Sequence, residues 1–213
     1  SYPGYAENIH ATVVEFKQLV SNLHNEGFKV VIDVVLNHTA ENLENAINFH
    51  ALAPGYYYRR THDGSYFNGS GCGNEFKTEA PMARKFVLDY LKYWTQEFKI
   101  DGFRFDLMGL MDYETFRLID DELSKINPDI LLYGEPWAAD NAGVSVLGKG
   151  CQRETRFAVF NDHYRDALRG DNSSNGKGFI QGEGKRLKIA QGFCGSIHEF
   201  CHHPTDHQLD QLR

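Results

Sequence analysis

The sequence has few cysteines and no surplus of basic residues. Its 213 residues include four cysteines, widely spaced and without a CxxC pair, which argues against a disulfide framework while leaving a single bridge open. Lysine and arginine number 22 against 29 aspartate and glutamate, a formal net charge of -7. The chain therefore lacks the basic footprint of a protein that binds nucleic acid or an anionic membrane surface, and neither partner is expected.

The given sequence contains no long apolar run and no stretch with the form of a secretion signal. No run approaches the roughly 18 residues of a membrane span, and the polar start at Ser1 does not have the form of a signal peptide. The compartment, cytoplasmic or extracellular, is therefore not indicated.

The stretch "SGCGN" at Ser70–Asn74 follows no predicted strand and has no GK[ST], which argues against a phosphate-binding loop. The 41% hydrophobic content is enough for a core, in one globular domain or in part of a larger one.

Helical and strand-like segments alternate along the chain. In order, the segments are a helix at Ile9–Asn25, a strand at Phe28–His38, a helix at Pro81–Phe98, a strand at Ile100–Asp106, a helix at Tyr113–Ile126 and a strand within Asp129–Trp137. This alternation predicts parallel βα units, arranged either as an open doubly wound sheet or as a barrel. The segment from Thr39 to Thr78 has no period, and loops of that length are usually functional.

The second predicted strand carries two charges. In "GFRFD", Arg104 and Asp106 share one face and the phenylalanines take the other, because side chains alternate along a strand. Charges on a buried strand are costly unless they are paired or used. The first and third strands also end in polar residues, with Asp33 and His38 on one and Glu135 on the other. This placement is typical of the active-site face of a (β/α)8 barrel, whereas an open sheet more often has a phosphate loop.

Two carboxylates at the ends of successive strands are the minimum machinery of glycoside hydrolysis. Arg104 is expected to hold Asp106 as an anion, and the proline and tryptophan after Glu135 are expected to set its carboxyl group against apolar surface. These settings predict a nucleophile and an acid, respectively. Asp33 is expected to bond Arg104, and His38 to donate to a sugar hydroxyl. The alternatives that the residues leave open are a structural ion pair for Arg104 and Asp106 and a solvated strand end for Glu135.

Three stretches resemble a known family. "DVVLNH", "GFRFDLMG" and "YGEPW" are similar, in order, to the first three signature regions of the alpha-amylase superfamily, glycoside hydrolase family 13. Two more, "GSGCGNEFKTEAPMARKFVLDYLKYW" and "FNDHYRDALRG", resemble type I pullulanases, and the likeness runs from about Glu15 to Phe200. The resemblance implies a retaining hydrolase that cuts α-1,6 branch linkages in pullulan, amylopectin or glycogen, with an α-glucan as its partner.

Carried over residue by residue, the resemblance assigns the roles at the site. It implies Asp106 as the nucleophile and Glu135 as the acid/base. The implied substrate-binding residues are Arg104, Asp33, His38 and Trp137. Asn37 matches a calcium ligand of many alpha-amylases, but the loop that follows it differs here. No cofactor is expected, and calcium is the one alternative left open.

The implied fold is of the α/β class, a partial (β/α)8 TIM barrel that lacks the first two and the last strands. In this family the motif with Asp33 lies on the third strand, and the fourth signature region is not found. Residues 1–200 are assigned to the partial catalytic barrel, with 39–78 as a long loop over the active site. Residues 201–213 are assigned to an aberrant tail, for which a shifted reading frame is our hypothesis.

An unclosed barrel leaves strand edges and apolar surface exposed, so this chain is expected to be inactive by itself. Two alternatives to a pullulanase remain open at this stage. One is another alpha-amylase-type or isoamylase-type glucan hydrolase. The other is a non-catalytic remnant that binds glucan.

Overall fold

Helices and parallel strands alternate in the first part of the chain. The computed structural model describes residues 8–42, 44, 48–172 and 174–196, and the tail assigned to residues 201–213 lies outside them. Within that described part, no helix is both long enough and apolar enough to cross a membrane. Two compact units are present. The first runs to Gly148 and includes Thr155–Ala158, and the second consists of Lys149–Glu154 and the residues from Val159 onward.

The predicted helices are present. The α-helices of the described residues are α1 (Ile9–Asn25), α2 (Phe49–Leu52), α3 (Pro81–Glu97), α4 (Tyr113–Ile126), α5 (Asp162–Arg169) and α6 (Arg186–Phe193). Side-chain caps fix where α1 and α4 begin. Asn8 accepts a hydrogen bond from the backbone N–H of Ala11, and Asp112 accepts one from Thr115, each at 3.0 Å. The predicted bounds of α1 and α4 are confirmed.

The sheet has the strand order β1-β2-β3-β4. Its strands are β1 (Val31–Val34), β2 (Gly102–Phe105), β3 (Leu131–Gly134) and the short β4 (Ala158–Val159). The pairs β1·β2 and β2·β3 are parallel, and their register sets Arg104 between Asp33 on β1 and Tyr133 on β3. The α/β class predicted from the alternating segments is therefore confirmed.

The first strand is shorter than the predicted Phe28–His38. Beyond Val34 the chain leaves the sheet, and the backbone carbonyl of Asn37 accepts a hydrogen bond at 2.8 Å from the N–H of Phe76. The end of the apolar run thus pairs with the long segment between β1 and α3. This exit from the sheet brings Asn37 to the carboxyl end of β2, where the candidate site lies.

The core of the first unit lies between the sheet and the helices α3 and α4. Its most deeply buried apolar side chains include Phe103, Phe105, Leu132, Val87, Leu91, Phe116, Ile119 and Leu123. The helix members recur at three- and four-residue spacings, as expected for the apolar face of a helix on a sheet. This packing fixes β2 in the centre of the unit.

The second unit contains α5 and α6. The side chain of Asn161 caps α5 by accepting a hydrogen bond at 3.0 Å from the N–H of Tyr164. The ring of Tyr164 packs edge-on against Phe193 of α6, with the ring centroids 5.6 Å apart. Lys149 forms an ion pair with Asp162 in the first turn of α5.

We expect Phe103→Ala to lower the free energy of unfolding by about 3–5 kcal/mol, because the substitution leaves a cavity in the centre of the core. Phe103 has no exposed surface, whereas Phe28 is 62% exposed. Phe28→Ala is therefore the matched control, expected to change stability by about 0.5 kcal/mol or less. Urea denaturation followed by circular dichroism measures both, and equal losses would contradict this description of the core.

Candidate active site

The side chains of β2 alternate as predicted. Phe103 and Phe105 are buried, with at most 1% exposure. Arg104 and, directly after the strand, Asp106 share the opposite face, where their side chains are 20% and 27% exposed. The charged face is thus partly open to solvent, as a substrate-binding surface requires.

Arg104 brings three carboxylates together. Its Nη1 donates to Asp33 Oδ1 at 2.9 Å and to Asp106 Oδ1 at 3.0 Å, and its Nη2 lies 2.6 Å from Glu135 Oε1. The predicted pairing of Arg104 with Asp106 and Asp33 is confirmed. Burial alone would lower the pKa of Arg104, but hydrogen bonds to Asp33 and Asp106 and the negative charge of Glu135 raise it above its ordinary value.

Asp106 is held by Asn37 as well as by Arg104. The Asn37 side-chain amide donates to the Asp106 carboxylate oxygen Oδ2 at 3.1 Å and to its backbone carbonyl at 2.7 Å. Asn37 itself is buried. One carboxylate oxygen therefore faces Arg104 and the other faces Asn37, which fixes the plane of the group. The feature of the sequence that could have indicated this contact is a polar residue, Asn37, next to His38 at the end of an apolar run.

His38 reaches the site through Asn37. Its Nδ1 lies 2.6 Å from Asn37 Oδ1, and because a carbonyl oxygen can only accept, Nδ1 carries the proton of this hydrogen bond. The same oxygen is the atom with which Asn37 would ligate calcium, and the contact with His38 uses one of its two lone pairs. No group of three or more His, Cys, Asp or Glu side chains within the described ranges could hold a metal ion.

Glu135 lies in a polar setting. Its Oε2 accepts a hydrogen bond at 2.9 Å from the backbone N–H of Leu107, while Oε1 contacts Arg104. The expectation that apolar surface would surround this carboxyl group is therefore wrong. The reason is that Arg104 contacts Glu135 through Nη2 while its Nη1 binds Asp106, and that the backbone N–H of Leu107, in the turn after β2, donates to Glu135.

That turn depends on an unusual backbone conformation and on a glycine. Leu107 has the left-handed angles φ 39° and ψ 48°, which cost a non-glycine residue roughly 1–3 kcal/mol. Gly109 donates its N–H to the backbone carbonyl of Glu135 at 3.0 Å. A Cβ atom on Gly109 would come within 2.5 Å of the backbone of Trp137, so only glycine allows this approach. Trp137 is half-buried next to the turn.

The long segment between β1 and α3 has its own buried polar contacts, which the sequence did not indicate. Glu41 accepts hydrogen bonds from the N–H groups of Asn48 and Phe49 at 2.6 and 2.9 Å, and from the Tyr58 hydroxyl. Burial alone would raise the pKa of Glu41, but these hydrogen bonds outweigh it and hold the pKa below its usual range. Burial and the bond to Glu41 raise the pKa of Tyr58.

Comparison with curated proteins finds three kinds of relative, although no protein-family model matches the chain. It is 36% identical over 201 residues to the pullulanase of Bacillus subtilis (strain 168), covering 90% of this chain and 28% of that protein. It is 36% identical over 200 residues to the glycogen debranching enzyme of Serratia proteamaculans, covering 85% and 27%. It is 46% identical over 99 residues to the chloroplastic isoamylase 1 of Arabidopsis thaliana, covering 46% and 13%.

The similar proteins of known structure are also pullulanases. The pullulanase of Bacillus acidopullulyticus superposes with a TM-score of 0.86 at 45% identity, covering 89% of this chain and 24% of that one. The pullulanase of Paenibacillus barengoltzii, in complex with maltohexaose and alpha-cyclodextrin, superposes with a TM-score of 0.82 at 37% identity, covering 90% and 30%. The chain thus spans less than a third of the length of these relatives. The homologues of this chain are pullulanases, isoamylases and glycogen debranching enzymes of the glycoside hydrolase family 13 type.

Proposed function

We propose that this chain carries the catalytic carboxylates of a retaining glycoside hydrolase that cuts α-1,6 branch linkages in pullulan, amylopectin or glycogen. The observation that carries the proposal is the binding of Asp106 and Glu135 to the one guanidinium of Arg104, at the carboxyl ends of adjacent parallel strands. Retaining glycosidases need two carboxyl groups about 5–5.5 Å apart, and a shared guanidinium favours such a close spacing.

In the proposed reaction, a carboxylate oxygen of Asp106 attacks the anomeric carbon of the branch glucose. The bond from that carbon to the glycosidic oxygen breaks, and Glu135 gives the leaving oxygen its proton, so a covalent glycosyl ester forms on Asp106. Glu135 then takes a proton from water, which attacks the same carbon and releases the sugar with its configuration retained. Donation requires Glu135 to turn from Arg104 to the substrate, which leaves Arg104 bound to Asp33 and Asp106.

The other residues of the site bind the glucan in this proposal. Asp33 is 61% exposed and is held by Arg104, so it presents a carboxylate to sugar hydroxyls. His38 donates its Nδ1–H to Asn37, so in that tautomer Nε2 accepts a hydrogen bond from a sugar hydroxyl, rather than donating to it as the sequence led us to expect. Trp137 supplies an aromatic surface next to Glu135. The related pullulanase of Paenibacillus barengoltzii binds maltohexaose and alpha-cyclodextrin, which supports an α-glucan partner for this surface.

Two finer statements belong to the same proposal. Similarity to pullulanase structures across nine-tenths of the chain favours a type I pullulanase over an isoamylase. The sheet is part of a (β/α)8 barrel, and its four described strands are too few to close one. The chain by itself is therefore proposed to be inactive, and its chemistry is tested best inside a complete barrel.

The test is a hybrid enzyme in which residues 8–196 replace the matching segment of the Bacillus acidopullulyticus pullulanase. We expect the hybrid to convert pullulan to maltotriose, because only the α-1,6 bonds of pullulan separate its maltotriose units. The parent enzyme and the isolated chain are the positive and negative controls. A folded hybrid that binds pullulan without cutting it would favour a glucan-binding role, and products other than maltotriose would exclude α-1,6 specificity.

A further inference from the structure

A buried ion pair lies outside the candidate site, in the segment between β1 and α3. Arg59 Nη1 is 3.2 Å from Glu75 Oε2, and the two side chains are 3% and 0% exposed. Burying both charges is costly unless each makes further hydrogen bonds. The remaining contacts of the pair therefore indicate which parts of the molecule it holds together.

Arg59 binds the turn that follows Asp106. Its Nη1 donates to the backbone carbonyl of Leu110 at 2.8 Å. Leu110 ends the short 3₁₀ turn Met108–Leu110, which begins two residues after Asp106. The backbone N–H groups of Leu107 and Gly109, at the start of this turn, donate hydrogen bonds to Glu135. The guanidinium thus fixes the far end of the turn that follows Asp106 and holds Glu135.

Glu75 binds the segment that follows Glu135. Its Oε1 accepts hydrogen bonds from the N–H groups of Gly69 at 2.8 Å and Gly143 at 3.0 Å. The carbonyl of Gly69 in turn accepts from the N–H groups of Ala139 and Asp140 at 2.8 and 3.0 Å. Residues 139–143 are therefore attached to Glu75 directly at Gly143 and, through Gly69, at Ala139 and Asp140.

The packing around Glu75 leaves no room for adjustment. A Cβ atom on Gly69 would come within 2.6 Å of Glu75 Oε1, and one on Gly143 would come within 2.5 Å of the Phe67 ring. Both glycines allow the backbone to approach the carboxylate directly. The pair and its glycines thus form a tight connection between two loops.

We propose that Arg59 and Glu75 are positioning residues that tie the loop after Asp106 to the loop after Glu135. Neither residue touches the reacting atoms. Their consequence for catalysis rests on the function proposed above, but the tie itself is a property of the folded chain. Because loss of alignment by about 1 Å can cost on the order of 10²-fold in rate, a connection of this kind matters more for kcat than for binding.

Glu79 provides a matched comparison. It is the second carboxylate partner of Arg59, with Oε2 at 2.7 Å from Nη2. Its side chain is 35% exposed, and among the described contacts it hydrogen bonds only to Arg59. Both Glu75→Gln and Glu79→Gln remove a carboxylate that pairs with Arg59, but only Glu75 also binds the backbone of Gly69 and Gly143. A positioning role predicts that only Glu75→Gln disturbs the loops.

The test uses the full chain and the fluorescence of Trp137, which lies between Glu135 and the tied residues 139–143. The sequence has two tryptophans, so Trp94→Phe leaves Trp137 as the single reporter. In that background we expect Glu75→Gln to raise acrylamide quenching of Trp137 by about twofold or more, since loss of the buried anion releases the loop. Glu79→Gln is expected to leave quenching unchanged.

A second variant guards against loss of the fold. Glu75→Asp keeps the charge but shortens the side chain, so it is expected to raise the quenching of Trp137 as Glu75→Gln does, with far-UV circular dichroism unchanged. Unchanged quenching in a folded Glu75→Asp variant, or equal quenching in Glu75→Gln and Glu79→Gln, would overturn the proposal.

In the hybrid enzyme, Glu75→Gln is expected to lower kcat by about 10-fold or more with KM within about twofold. If the hybrid is inactive but Glu75→Gln still raises the quenching of Trp137 in the chain, the proposed function is refuted and the connection between the loops stands. If the hybrid is active but Glu75→Gln does not change that quenching, the connection is refuted and the proposed function stands.

Discussion

Asp106→Asn in the hybrid enzyme is expected to lower kcat/KM for pullulan on the order of 10⁴-fold or more, because an amide cannot form the glycosyl ester. Asparagine has the shape of aspartate, so its oxygen can still accept from Arg104 and the backbone contact to Asn37 remains. The loss should therefore come with little change in pullulan binding. Initial rates of reducing-end release measure it.

The matched control is Asp101→Asn, at the other end of the same strand. The Asp101 carboxylate accepts a hydrogen bond at 2.7 Å from the N–H of Val30 and lies 2.8 Å from His24. It is remote from the carboxyl end of β2, so kcat should stay within about threefold of the unsubstituted hybrid. An Asp106→Asn variant with a tenth or more of the original activity would show that another residue is the nucleophile.

Glu135→Gln is expected to lower pullulan hydrolysis by about 10³-fold, because glutamine cannot give a proton to the leaving glucan. The loss should be much smaller for α-maltotriosyl fluoride, since fluoride departs without needing the full assistance of an acid. Comparing the two substrates separates lost proton transfer from a disturbed site.

The control for this prediction is Glu114→Gln, which removes an exposed carboxylate paired with Arg84 and should leave both substrates unaffected. Equal losses on pullulan and on the fluoride would mean that Glu135 is not the acid. In that case its contact with Arg104 would have to be read as a structural ion pair.

Much of the fold was predictable because it follows from local patterns. The bounds of α1 and α4 came from apolar spacing and capping residues, and the pairing of Arg104 with Asp106 came from alternation along one strand. Parallel pairing of β1, β2 and β3 followed from the order of the elements. These features depend on neighbours within a few residues or on simple rules of connection.

The features that could not be predicted from the sequence depend on contacts between distant residues. The environment of Glu135 is set by a left-handed Leu107 and by the reach of Arg104, neither of which has a sequence pattern. The binding of Asp106 by Asn37 joins residues 69 positions apart. The pair formed by Arg59 and Glu75 lies in a segment without a period, where hydrophobic spacing gives no guide.

The proposed reaction depends on a covalent bond between Asp106 and the sugar. The most direct test is to treat the hybrid enzyme with a 5-fluoro-α-glucosyl fluoride, which forms the glycosyl ester faster than water removes it, and to locate the added mass by peptide mass spectrometry. We expect one glycosyl group on Asp106 and none in the Asp106→Asn variant. A label on another residue, or an active hybrid that is never labelled and inverts the anomeric configuration, would contradict it.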